Sequence, residues 1–219
     1  GAPQKVGVAI ADLLTGVYAV AAIEAALLER AATGRGRHID MALMDVQVAM
    51  LANQAMNYLA SGAIPAAMGN DHPNIVPYQP FAARDGAVMV AAGTDAQFRA
   101  LCAVLEADDL AADPRFQGNA ERVAARGDLI AALAHRIAGW ERAPLLTALE
   151  SAGVPAGPVN NIAEVFADPQ VIHRGLRIDT PGGAGIRTPI VMDGTPMAAA
   201  RGAPRLGQHT EEILRELGL

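Results

Sequence analysis

One carboxylate, Asp12, stands among small and aliphatic residues in the stretch KVGVAIADLLTG, just before an alanine-rich segment. Two interpretations fit this position. An aspartate at the start of a helix can act as an N-cap, because its carboxylate accepts backbone N–H bonds there. A carboxylate that the helix dipole keeps ionised, among apolar neighbours, can also act as a nucleophile. The residue types alone leave both interpretations open.

The remaining reactive side chains are scattered. No two histidines have the spacing of metal ligands, so we expect no metal site. His72 lies in GNDHPN, inside a stretch rich in glycine and proline (residues 60–77), and is a candidate for contacting a ligand together with Asn74. Cys102 lies in the apolar helical pattern FRALCAVL, which favours an inert core thiol over a nucleophile.

Composition excludes several classes of partner. The chain has 219 residues, 52% of them hydrophobic, and a net charge of −6, so it carries no basic footprint for nucleic acid. A single cysteine excludes an internal disulfide and fits a reducing cytoplasm, where we expect the protein to act. The longest apolar run, residues 13–28, contains Thr15, Gly16 and Glu24. We expect this run to be too short and too polar to cross a bilayer, and we expect no membrane partner.

Periodicity predicts an order of elements for the first half of the chain. A helix over 12–33 ends at TGRG, a strand follows at 37–43, and a second helix covers about 45–59. Residues 60–77 form a linker or an active-site loop. A lone strand cannot make a sheet, so the first seventy residues resemble part of a layered α/β domain whose other strands lie elsewhere.

The second half has the pattern of an α+β unit. A hairpin is predicted around the Asp85–Gly86 turn, and GVPAGPVNN is an extended crossing. The closing helix has Thr210 as its expected N-cap. The other expected elements are helices at 95–106, 119–138 and 142–151, a short helix broken at Pro169, and strands near 175–180 and 186–192.

Five motifs in order resemble the class III CoA-transferases, the family of formyl-CoA and carnitine CoA-transferases, which also has a racemase branch exemplified by α-methylacyl-CoA racemase. The first is an aspartate followed by a Thr–Gly pair, an alanine-rich helix, TGRG and a segment ending at Asp45. The other four are GTDAQFRALC, DPRFQGNAERVAAR, AGVPAGPVNNIAEVFADPQV and LGQHTEEILRELGL. The resemblance covers essentially the whole chain and identifies it as the back half of a family member.

The resemblance implies an activity for Asp12. In the family the aspartate at this position is the covalent catalyst, which moves CoA between an acyl-CoA thioester and a carboxylic acid through aspartyl intermediates. CoA thioesters would then be substrates, no cofactor would be bound permanently, and most CoA contacts would come from a preceding half.

The resemblance also implies an architecture. The fold would be α/β, with a partial Rossmann-like large domain and a small α+β domain. Residues 1–70 would form the central part of the large domain, 71–172 the small domain, and 173–219 a return to the large domain. Family members form interlocked dimers, so a homodimer is expected.

Two alternatives remain open at this level. The racemase branch uses the same aspartate for proton transfer α to the thioester, but carries a glutamate where this chain has Asp95. That difference favours the transferase. The second alternative is a truncated fragment without catalytic activity.

Overall fold

The computed structural model describes residues 4–199 and 201–219; the first three residues of the predicted 1–70 domain lie outside this description. The chain divides into two compact units, Gly1–Asn70 and Asp71–Leu219. Residues 173–219 belong to the second unit, and their return to a large domain stays a prediction.

The first unit consists of helices. A long helix, α1, runs over Ile10–Thr33 and ends at Gly34, whose left-handed backbone suits a residue without Cβ. Two shorter helices follow, α2 (Leu43–Ala49) and α3 (Ala52–Ser61). The predicted helix over 12–33 is therefore confirmed, whereas the predicted helix over 45–59 is two helices.

The predicted strand at 37–43 is wrong. Residues 35–42 carry no regular structure, and α2 already begins at Leu43. A strand exists only where a second strand supplies its hydrogen bonds. Among the described residues no strand pairs with this segment.

Helix α1 is apolar and uncovered. None of its residues is buried, and Leu13, Val17, Val20 and Leu28 are all at least 60% exposed. It has 24 residues and few charged side chains, so by length and composition alone it could cross a membrane. The expectation that this stretch is too short and too polar is therefore wrong. Core helices of soluble proteins and signal sequences have the same length and composition. The absence of a membrane partner therefore stays a prediction.

The second unit is built on a small antiparallel sheet. The hairpin predicted around Asp85–Gly86 is present, as β1 (Tyr78–Ala83) and β2 (Gly86–Ala91), with Phe81 opposite Val88. A third strand, β3 (Ala156–Pro158), pairs with the other edge of β2. This strand lies in the segment that was expected to be an extended crossing.

Helices cover one face of this sheet. They are α4 (Asp95–Val104), α5 (Asp108–Ala112), a 3₁₀ turn (Pro114–Phe116), α6 (Asn119–Ala124), α7 (Arg126–Ile137) and α8 (Arg142–Ser151). Helix α4 begins with a capping box between Thr94 and Gln97. Phe81, Val88 and Val90 of the sheet share one core cluster with Leu129 and Leu133 of α7. Cys102 is a buried member of that core, which confirms its predicted core position.

The rest of the unit is less regular. Helices α9 (Ile162–Ala167) and α10 (Pro169–His173) meet at the predicted break. Strand β4 (Arg177–Thr180) pairs with β5 (Gly183–Ile186), and β6 (Val191–Met192) pairs with β7 (Thr195–Pro196). The predicted strand at 186–192 was therefore misplaced. The last helix, α11 (Thr210–Glu216), has His209 rather than Thr210 at its N-cap, without a side-chain bond.

Candidate active site

Asp12 lies in the first turn of α1, but it is not the N-cap. The helix begins at Ile10, the N-cap is Ala9, and no side chain caps this end. The carboxylate is exposed and has no partner among the described residues. The capping interpretation of Asp12 is therefore wrong, and its carboxylate is available, at a position where the helix dipole favours negative charge.

Two residues that follow Asp12 in α1 have different surroundings. The Thr15 hydroxyl donates to the Ala11 carbonyl at 2.7 Å, a back-bond within the helix. A Cβ added to Gly16 would meet no atom within 4 Å.

The second unit opens with a loop, residues 71–77, that contains His72 and Asn74. We refer to it as the 71–77 loop. Its backbone is held by side chains from α6 and α7, here called the brace: Asn119, Arg122 and Arg126. The Asn119 amide accepts the Val76 N–H at 3.1 Å and donates to the Asn74 carbonyl at 2.8 Å.

Arg122 is the central member of the brace. Its side chain is fully buried. The guanidinium donates to the carbonyls of Val76 at 2.8 Å and Phe116 at 3.0 Å, and it pairs with Asp95 at 2.7 Å. It also lies 4.7 Å above the centre of the Phe98 ring. A buried guanidinium requires such partners, because an unpaired charge would be far too costly to desolvate.

Arg126 holds the other end of the 71–77 loop. Its Nη2 donates to the carbonyls of His72 and Pro73, both at 2.9 Å, and its Nη1 lies 4.0 Å from the Asp71 carboxylate. The brace therefore fixes four loop carbonyls and one N–H. These bonds hold the backbone of the 71–77 loop against α6 and α7.

His72 and Asn74 lie together. The Asn74 N–H donates to Nδ1 of His72 at 3.1 Å. The His72 N–H donates to the Tyr78 carbonyl at 2.9 Å, and the two rings stack with centres 5.1 Å apart and planes 11° apart. Because Nδ1 accepts a bond, the neutral imidazole carries its proton on Nε2.

Sequence reasoning missed Tyr78 and the whole brace. Asn119, Arg122 and Arg126 are spaced by three and four residues, which places them on one helical stripe. That signal was available, but polar residues on a stripe are normally solvated, so burial of Arg122 was not predictable from it. Asp95 was noted only as a family difference, and the structure shows it as the ion partner of Arg122.

The candidate residues are thus distributed over both units: Asp12 in the first, and His72, Asn74 and Tyr78 in the second. The described residues contain no group of three or more histidine, cysteine, aspartate or glutamate side chains that could hold a metal ion. The first unit therefore offers the unpartnered carboxylate of Asp12, and the second unit separately offers polar side chains on and beside the 71–77 loop.

Comparison with known proteins decides the family. The model of CoA-transferase family III matches residues 1–210. The chain belongs to this family. Its sequence is 48% identical, over 99% of its length, to the succinate–glutarate CoA-transferase of Agrobacterium fabrum, and 40% identical, again over 99%, to human succinyl-CoA:glutarate CoA-transferase. A crystal structure of a CAIB/BAIF family protein from Brucella suis is 50% identical, with a TM-score of 0.81 over 99% of this chain.

These family members are longer than the chain. It spans 56% of the Agrobacterium protein, 51% of the human protein and 57% of the Brucella chain. The mixed α/β fold predicted from the sequence agrees with that of the Brucella protein. The interlocked arrangement of two chains stays a prediction.

Proposed function

We propose that the protein is a CoA-transferase in which Asp12 is the covalent catalyst. The observation that carries this proposal is the unpartnered Asp12 carboxylate in the first turn of α1, at the aspartate of the sequence motif that resembles the family's, in a chain that belongs to this family. A carboxylate engaged in a cap or an ion pair would have to give up that partner before attacking a carbonyl. Asp12 has no such partner among the described residues.

The proposed chemistry uses one carboxylate in both directions. Asp12 attacks the thioester carbonyl of the donor, so that a C–O bond forms, the C–S bond breaks and CoA leaves as a thiolate. The thiolate then attacks the aspartyl carbonyl of this mixed anhydride, which releases the donor acid and leaves Asp12 as its CoA thioester. The acceptor carboxylate reverses the two steps and takes the CoA. No step consumes water, so the activation of the thioester is conserved.

The substrates we propose are dicarboxylic acids and their CoA thioesters. The two relatives described above are named for succinate and glutarate, both of which carry two carboxylates. At 40–48% identity over nearly the whole chain, a shared substrate class is the simplest inference. No permanently bound cofactor is required, because both reacting groups belong to the substrates or to Asp12.

The test is CoA exchange by the full-length protein that contains this sequence. Purified protein with succinyl-CoA and glutarate should give glutaryl-CoA and succinate, and Asp12→Asn should reduce the rate by roughly 10³-fold or more, because an amide is not a nucleophile. The matched control is Asp108→Asn, which changes another exposed aspartate in the first turn of a helix. If Asp12→Asn keeps full activity, the proposal is wrong. If the protein instead exchanges an α-proton of an acyl-CoA with solvent, it belongs to the racemase branch.

We also propose that the protein acts as a homodimer in the cytoplasm, without a membrane. The exposed apolar face of α1 supports an assembly surface, since soluble proteins rarely leave a large apolar patch uncovered. A single reduced cysteine in the core fits the cytoplasm. Light scattering of the full-length protein should give twice the mass of one chain, and a monomer mass would contradict the dimer.

A further inference from the structure

A small cavity in the second unit is lined by the turn of the β4–β5 hairpin and by residues 201–209, the segment before α11. Its volume is about 350 Å³, and we call it the 201–209 cavity. Its polar side chains are those of Arg201, Arg205, Gln208 and His209, and no aspartate or glutamate is among the described residues that line it. Although the chain as a whole has a net charge of −6, this cavity is therefore cationic.

Two glycines let the 201–209 segment approach the hairpin turn closely. A Cβ added to Gly202 would collide with the backbone nitrogen of Gly182, and one added to Gly182 would lie 3.0 Å from the nitrogen of Ala203. The two backbones can come this close because glycine has no Cβ. The close approach fixes the position of the backbone next to Arg201 against the turn.

The Gln208 side chain is oriented by the backbone of Arg205. Its Oε1 accepts the Arg205 N–H at 2.9 Å, and the Gln208 N–H donates to the Arg205 carbonyl at 3.0 Å. These two bonds close a turn over residues 205–208. Because Oε1 is engaged by the backbone, the group that Gln208 offers to a ligand is its NH₂, which can only donate.

The two arginines of the 201–209 cavity keep their donors available. Within the described part of the chain, the guanidinium groups of Arg201 and Arg205 make no hydrogen bond or ion pair. Glu212 and Glu216 line an adjacent cavity together with Arg201, but neither carboxylate pairs with that arginine. Two positive charges and an amide donor thus line one cavity without a protein partner.

We propose that the 201–209 cavity binds a phosphate group, either as a free phosphate ion or as part of a nucleotide such as CoA. A phosphate group carries up to two negative charges and at least three acceptor oxygens, so it can accept from two guanidinium groups and an amide at once. A carboxylate has one charge and two oxygens, which a single guanidinium satisfies. The proposal concerns the second unit alone and does not depend on the proposed function.

The test is titration calorimetry of the full-length protein with inorganic phosphate at low ionic strength, where exposed charges are least screened. Saturable binding is expected, with acetate binding more weakly. Arg201→Gln and Arg205→Gln should each weaken phosphate binding roughly tenfold, the low end for a bond to a charged group, because the site is open to water. Arg215→Gln is the matched control, since Arg215 lies in the last turn of α11 and does not line the cavity, and it should leave the affinity within about twofold.

CoA and dephospho-CoA, which lacks the 3′-phosphate, distinguish the two sources of the phosphate group. If only CoA binds less tightly to the double variant Arg201→Gln/Arg205→Gln than to the unmodified protein, the cavity holds the 3′-phosphate. If both bind less tightly, it holds the diphosphate that they share. If neither changes while inorganic phosphate binds less tightly, the cavity takes a free phosphate ion.

Three results would overturn the proposal. The first is an unmodified protein that shows no saturable binding of phosphate. The second is phosphate binding that stays unchanged in the double variant, or in both single variants if the double variant does not fold. The third is acetate binding as tightly as phosphate, which would indicate a carboxylate site. None of these measurements requires CoA transfer, so a failure of the proposed function would leave this test intact.

Discussion

The buried guanidinium of Arg122 gives the most quantitative prediction. Arg122→Met keeps most of the side-chain volume but removes every donor. The Val76 and Phe116 carbonyls would each lose a buried hydrogen bond, now 2.8 and 3.0 Å long. A buried group left without its partner costs about 1–3 kcal/mol. The freed Asp95 carboxylate is half exposed and can be hydrated, so it adds little. Removing the buried charge also removes its desolvation cost, which offsets part of this loss of stability. We expect a net loss of about 2–4 kcal/mol in the free energy of unfolding.

The assay is urea unfolding of the 219-residue chain, followed by fluorescence of Trp140. This residue is the only tryptophan and packs against the core of the second unit, so its signal reports on that unit. Arg115→Met is the matched control. Arg115 also pairs with aspartates and lies above a phenylalanine ring, but its side chain is 57% exposed. Exposed ion pairs are screened by water, so this variant should lose little. Equal losses in the two variants would refute the role assigned to burial.

Two further predictions concern ionisation. Burial raises the pKa of the Cys102 thiol from 9.0 to about 11. Between these pH values the thiol ionises in the unfolded state but stays protonated in the folded state. The unfolding free energy should therefore fall from pH 9 to 11 in the unmodified chain, and less so in Cys102→Ala; parallel pH profiles would argue against a buried thiol. The hydrogen bonds from the side chain and backbone N–H of Arg115 lower the pKa of the Asp113 carboxyl below its usual 3.8. As the pH falls, Asp113 therefore takes up a proton in the unfolded state before it does so in the folded state. The stability that Asp113 contributes is present at pH 7 and is lost as the pH falls through the lowered pKa of the folded state. Asp113→Asn should lower the urea midpoint at pH 7, and the difference from the unmodified chain should vanish in strong acid; a difference that persists there would contradict this.

Local signals predicted much of the fold. Helix α1 is rich in alanine and leucine and has a glycine stop at Gly34, and both signals lie within or next to the segment itself. The β1–β2 hairpin has alternating residues around an Asp–Gly turn, and its two strands are neighbours in sequence. The break before Pro169 follows from the proline.

The failures share a physical cause, which is dependence on distant partners. The segment at 37–43 has a strand pattern, but residues 4–199 and 201–219 supply no second strand to bond with it. Strand β3 has almost no strand propensity, since it contains Gly157 and Pro158, and forms because β2 offers it a free edge. No proline or glycine marks the break between α2 and α3 at residues 50–51.

The candidate site was predictable in part. Asp12, His72 and Asn74 could be named from a motif and from loop composition. Their surroundings could not, because the bonds that Arg122 and Arg126 donate to the carbonyls of Val76 and His72 join residues 46 and 54 positions apart in sequence. Long-range hydrogen bonds of this kind produce no periodic pattern in the amino-acid sequence.

The most direct test of the account is to trap Asp12 during turnover. Full-length protein is incubated with succinyl-CoA, quenched with hydroxylamine and digested, and the peptide that contains Asp12 is analysed by mass spectrometry. The account predicts a hydroxamate on Asp12, because hydroxylamine attacks both the anhydride and the aspartyl-CoA thioester, and no modification in Asp12→Asn. An unmodified Asp12 peptide from protein that is actively exchanging CoA would contradict it.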